Sequence, residues 1–110
     1  MIDYYESFET AEEVWFWFCS SLVARADGAR GRSNFAGKPK NIEVADIHRI
    51  IKTMKSNHHL NNRILRIMMD WGILGYPPYG DRRAKRSEIR LWSLGMQNLG
   101  IYLKSKGLIA

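Results

Sequence analysis

Cysteine occurs only once in these 110 residues, at Cys19. A lone thiol cannot close an internal disulfide, so burial has to hold the fold, and a reducing compartment suits it. Long apolar runs are missing as well. The longest, residues 14–19, is six residues against the roughly 20 that cross a bilayer, so no membrane span is expected. The first 20 residues contain no lysine or arginine, although a secretory leader would begin with basic ones. A soluble, cytoplasmic protein is the expectation. The glycine-rich phosphate loops GxxxxGK[ST] and GxGxxG are absent, and Gly31-Arg32 and Gly37-Lys38 do not fit them. No stretch alternates apolar and polar residues with a period of two, which argues against a sheet.

What is present is an ordinary globular share of hydrophobic residues, 45%, in a chain of common single-domain length. Residues 1–110 read as one all-α domain, a compact bundle of about four helices. The first, about 10–26, opens with Thr10-Ala11-Glu12-Glu13. This is a capping box in which the Thr10 hydroxyl and the Glu13 carboxylate serve each other's backbone N–H. Ala11, Val14, Trp15, Phe18 and Leu22 follow helical spacing and form its core stripe, and Gly28 is placed to cap its end. The second helix, about 43–55, carries Val44, Ile47, Ile50, Ile51 and Met54 on one face.

The third helix, about 59–71, turns Leu60, Ile64, Ile67, Met68 and Trp71 inward, with Gly72 as its cap. Gly75-Tyr76-Pro77-Pro78-Tyr79-Gly80 cannot be helical and reads as a rigid connector. The fourth, about 83–104, is expected to use Leu91, Leu94, Leu99 and Tyr102 as its inner face, flanked by Trp92, Met96 and Leu103. Gly95 and Gly100 within it allow either close packing or a kink. Residues 27–42 lack periodicity and read as a long glycine-rich loop, and such loops in compact domains tend to be functional or disordered.

Charge is distributed unevenly. The first 20 residues hold five acids and no cation, a net −5, while the remaining 90 hold all 17 Lys and Arg against six acids, a net +11. A field of that sign draws polyanions. The cations concentrate in the loop (Arg30, Arg32, Lys38, Lys40) and at the start of the fourth helix (Arg82, Arg83, Lys85, Arg86). A helix start is already the positive end of the dipole, so a bound phosphate or the acidic residues 3–13 are needed to compensate there. On the third helix Asn62, Arg63 and Arg66 lie outward, and Asn and Arg suit the major-groove edges of adenine and guanine. The second and third helices together suggest a helix-turn-helix, although Lys52 or Thr53 falls where that motif wants a small buried residue.

Chemistry has little support. His48, His58 and His59 lack metal-ligand spacing and Cys19 has no partner cysteine, so no metal, cofactor or catalytic residue is assigned and enzyme activity is not expected. Phe16 and Trp17 fall off the core stripe of the first helix. They are either enclosed in the bundle or form a docking face for a partner chain or a second copy. Two readings follow: a nucleic-acid-binding module, DNA in the first instance and regulatory, or a non-catalytic interaction domain using Phe16 and Trp17, whose basic surface suits an acidic partner protein.

Overall fold

The computed structural model describes residues 8–26 and 42–109. Among these residues are four α-helices: α1, Ala11–Ala26; α2, Val44–Ser56; α3, Asn62–Leu74; and α4, Arg86–Ser105. A single 3-10 turn, Pro78–Gly80, interrupts the passage from α3 to α4, and no strand occurs among the described residues. The expected loop lies outside the described residues except for Ile42, which is buried.

Each helix starts where the chain supplies its orphan N–H groups with an acceptor. At α1, Glu13 N–H donates to the Thr10 hydroxyl over 3.2 Å, and Thr10 N–H donates to the Glu13 carboxylate over 3.2 Å, as the capping box requires. Asp46 accepts from the Glu43 N–H at 2.8 Å before α2. At α3 the Asn61 carboxamide oxygen accepts from Ile64 N–H at 2.8 Å. That cap displaces the helix from the expected 59–71 to Asn62–Leu74, because His58 and His59 are spent on ending α2. His59 N–H reaches the Met54 carbonyl at 2.8 Å and His58 N–H the Lys55 carbonyl at 3.2 Å. These bonds form a Schellman motif with His58 in the left-handed position at φ 62°. The same motif closes α4, where glycine occupies the left-handed position: Gly107 at φ 70°.

Two further expectations are corrected. Gly72 does not end α3; it is buried within the helix, and Gly75 at φ 90° is the cap. The missing side chain at 72 is where α1 makes contact. A Cβ there would lie 2.5 Å from Cys19 Sγ and 2.6 Å from Trp15 Nε1. The Trp15 indole donates across this gap to the Met68 carbonyl at 2.7 Å, giving the buried ring its polar partner. The inner face of α4 is also rotated from expectation. Trp92, Gly95, Met96, Leu99 and Leu103 are buried, Leu91 and Tyr102 half-buried, and Leu94 is 43% exposed. Gly95 explains the rotation, since Met68 and Ile64 of α3 occupy the space its side chain would fill.

These contacts set the architecture. Helix α3 packs on both α1 and α4, and it runs antiparallel to α4, with Trp71 opposite Glu88 and Met68 opposite Gly95. Helix α2 lies mainly across α4 and α1 and rests little on α3. The core they enclose centres on Trp15, Phe18, Ile47, Met54, Met68, Trp92, Leu99 and Leu103. No described helix is long and apolar enough to cross a membrane.

Candidate functional site

The connector between α3 and α4, residues 75–85, is held by carboxylates from three places in the sequence. Asp81 is the inner anchor. It accepts from the Arg83 backbone N–H at 2.8 Å, from Arg83 Nε at 3.2 Å and Nη2 at 2.9 Å, and from the Tyr76 hydroxyl at 3.1 Å. The Arg83 side chain and N–H together hold the Asp81 carboxyl well below the usual range, and the pairing raises the guanidinium in return. Glu88 closes the start of α4 by accepting from Lys85 N–H at 3.0 Å and from the Trp71 indole at 3.2 Å. An acid one turn into α4 thus compensates the positive helix end that the sequence had crowded with cations.

Glu12 is the third anchor. Its carboxylate accepts from the Tyr79 hydroxyl at 2.7 Å and from the Trp92 indole at 2.8 Å, so α1, the 3-10 turn and α4 meet on one side chain. The hydrogen bond to Glu12, then partial burial and the carboxylate's charge, push the Tyr79 phenol up to about 12. Of residues 3–13, Glu12 therefore does reach the connector, but it binds neutral donors there and no arginine.

Most of the cations around this framework form no ion pair among the described residues. Among the described residues the ion pairs are Arg49–Asp46 at 3.0 Å and Arg83–Asp81 at 2.9 Å. Arg63, Arg66, Arg82, Lys85, Arg86 and Arg90 are exposed and take part in neither. Because α3 and α4 are antiparallel, Arg63 and Arg66 lie toward the end of α3 away from the connector, apart from residues 82–86. Asn62 is exposed at the first position of α3. Helix α2 packs mainly on α4 and α1 and little on α3, which lends no support to a helix-turn-helix pairing. Arg30, Arg32, Lys38 and Lys40 lie outside the described residues.

Phe16 and Trp17 are occupied within the chain. Trp17 is 6% exposed, its ring 5.9 Å from that of Phe8, and half-buried Phe16 stacks on Trp92 at 5.6 Å. Apart from Val23 on α1, the exposed large apolar side chains among the described residues are Ile73, Leu74, Tyr76 and Tyr79 at and after the end of α3, and Leu94 and Ile101 on α4. The two tyrosines were legible only as parts of a stiff turn, although their position directly before Arg82, Arg83, Lys85 and Arg86 is a signal of its own.

The remaining reactive side chains are engaged structurally. His48 meets Phe18 edge-on at 5.2 Å. His59 Nδ1 lies 2.6 Å from the Tyr102 hydroxyl, which also accepts from Asn57 Nδ2 at 3.0 Å, and Asn98 donates to the His59 carbonyl at 3.0 Å. Burial pushes the Cys19 thiol up to about 12, away from the reactive thiolate. Among the described residues no group of three or more His, Cys, Asp and Glu side chains is placed to hold a metal ion. No family model, curated protein or solved structure matches this chain.

Proposed function

We propose that this protein binds nucleic acid through its exposed cations and carries out no catalysis. The observation that carries the reading is the division of labour among charges. Glu12, Glu13, Asp46, Asp81 and Glu88 are taken up by caps, indoles, phenols and two arginines. Arg63, Arg66, Arg82, Lys85, Arg86 and Arg90 face solvent without an ion pair among the described residues. Unpaired arginines with free guanidinium edges suit phosphate oxygens, which they can engage in bidentate fashion.

In this reading Arg82, Lys85 and Arg86, with Arg83 in part, contact phosphates, and Asn62, Arg63 and Arg66 are the candidates for base contacts; DNA is the reference ligand. Neutralising Arg82 and Arg86 together by alanine tests it. Titration of a labelled oligonucleotide, followed by anisotropy, is expected to show affinity lowered at least tenfold with the melting temperature little changed. Unchanged affinity would remove these residues from the interface.

A second reading, a regulatory or adaptor module that docks on an acidic protein, has one observation in its favour. Leu94 and Ile101 are 43% and 60% exposed on one strip of α4 with Arg90 between them and the connector. In this reading α4 is the favoured docking face, because the rings of Phe16 and Trp17 are already packed against Trp92 and Phe8.

A further inference from the structure

We infer that the connector is a stacking platform for single-stranded nucleic acid, with Tyr76 and Tyr79 as the base-facing rings. This rests on the nucleic-acid reading above and specifies the form of the ligand.

Tyr79 is 58% exposed and Tyr76 36% exposed, although each is tethered at its hydroxyl. Tyr79 is fixed by Glu12 at 2.7 Å and Tyr76 by Asp81 at 3.1 Å. Trp71 meets the Tyr76 ring edge-on at 5.7 Å and supports it from the side. Between them Pro77 and buried Pro78 stiffen the backbone and lead into the 3-10 turn. An aromatic ring held by its far end loses little freedom when a base settles on its face, and that lowers the cost of binding.

Cations follow the rings closely in sequence: Arg82, Lys85 and Arg86 come within ten residues of Tyr76 and are exposed. Aromatic faces interleaved with a positive track are how proteins hold unpaired strands, because every base offers a π-face while the phosphates run alongside. A duplex hides those faces and offers groove edges, which are read by an inserted helix or ribbon. Helix α2 leans on α4 and α1, so it does not brace α3 for insertion. The chemistry therefore favours an unpaired strand, DNA or RNA.

The test uses the full chain and fluorescein-labelled oligo-dT, oligo-U and a DNA duplex, each of about 12 nucleotides or base pairs, followed by anisotropy at low salt. At least one single strand is expected to bind about tenfold tighter than the duplex, on the scale of one stacked base. Tyr79→Leu and Tyr76→Leu are each expected to lower that affinity about tenfold. Tyr79→Phe, which keeps the ring and loses the Glu12 tether, is expected to lower it by only about threefold, less than the leucine variant. Equal or tighter binding to duplex overturns the inference, and does so on the wild-type chain even if a leucine variant does not fold. So does indifference of folded Tyr→Leu variants when the Arg82/Arg86 double alanine variant loses affinity, an outcome that leaves the broader nucleic-acid reading standing. Absence of binding to all three probes overturns both.

Discussion

Single residues decide how closely these helices approach. Gly72 is the clearest case, since Trp15 and Cys19 occupy the volume of its missing Cβ. Trp15 is wholly buried and hydrogen-bonded to Met68, so it cannot move aside without opening the core. Gly72→Ala is expected to cost about 2–3 kcal/mol despite the better helix propensity of alanine, measured by urea unfolding. His58 presents the opposite situation. It occupies the left-handed position of a Schellman motif, which Gly107 fills at the end of α4. His58→Gly is expected to stabilise by about 0.5–1 kcal/mol, the relief of the Cβ clash exceeding glycine's entropic cost. A lower midpoint would show that the His58 side chain contributes something the backbone conformation does not reveal.

At the scale of elements, hydrophobic periodicity and caps made the four helices legible, and the Thr10–Glu13 box was readable residue by residue. Boundaries and faces were less so, for reasons that lie outside each segment. The start of α3 depends on how α2 ends at His58, and the face of α4 depends on Met68 filling the space beside Gly95. The two glycines of α4 separate these effects. A Cβ at Gly95 would meet Met68 Sδ at 2.5 Å and Ile64 Cγ2 at 2.9 Å, whereas at Gly100 it would meet only Ala11 Cβ at 3.7 Å. Gly95→Ala is expected to destabilise by about 1–2 kcal/mol. Gly100→Ala is expected to stabilise by about 0.5–1 kcal/mol. Similar thermal shifts for both would contradict the packing assigned to α4.

The connector answers to pH. Asp81 is held below the ordinary carboxylate range by Arg83, so the unfolded chain binds that proton more tightly. Its contribution is complete above the unfolded value of about 4 and is lost as pH falls through the folded value. Asp81→Asn is therefore expected to lower the urea midpoint at neutral pH and to flatten its fall below about pH 4. An acid limb identical to that of the parent would mean that the Asp81–Arg83 contact contributes nothing to stability in solution.

Over the whole molecule, charge asymmetry was visible at once in the sequence, and its organisation was not. No spacing rule links Tyr79 to Glu12, which are 67 positions apart, so the tethering of the exposed ring emerges only in three dimensions. Nor could periodicity tell that Phe16 would stack on Trp92 and Trp17 be buried beside Phe8. Of the acids that looked like a counterweight to the arginines, Glu12 and Glu13 are engaged by indole, phenol and backbone donors, and most of the described cations form no ion pair among the described residues.

The most direct test of the role of those cations is the salt dependence of oligonucleotide affinity for the unmodified chain. If exposed Arg82, Lys85, Arg86 and their neighbours contact phosphates, the logarithm of the association constant falls linearly with the logarithm of salt concentration. Some four phosphate contacts to a single strand correspond to a slope of about −3. A flat dependence, or binding weaker than millimolar at low salt, would contradict the assignment of this surface to nucleic acid.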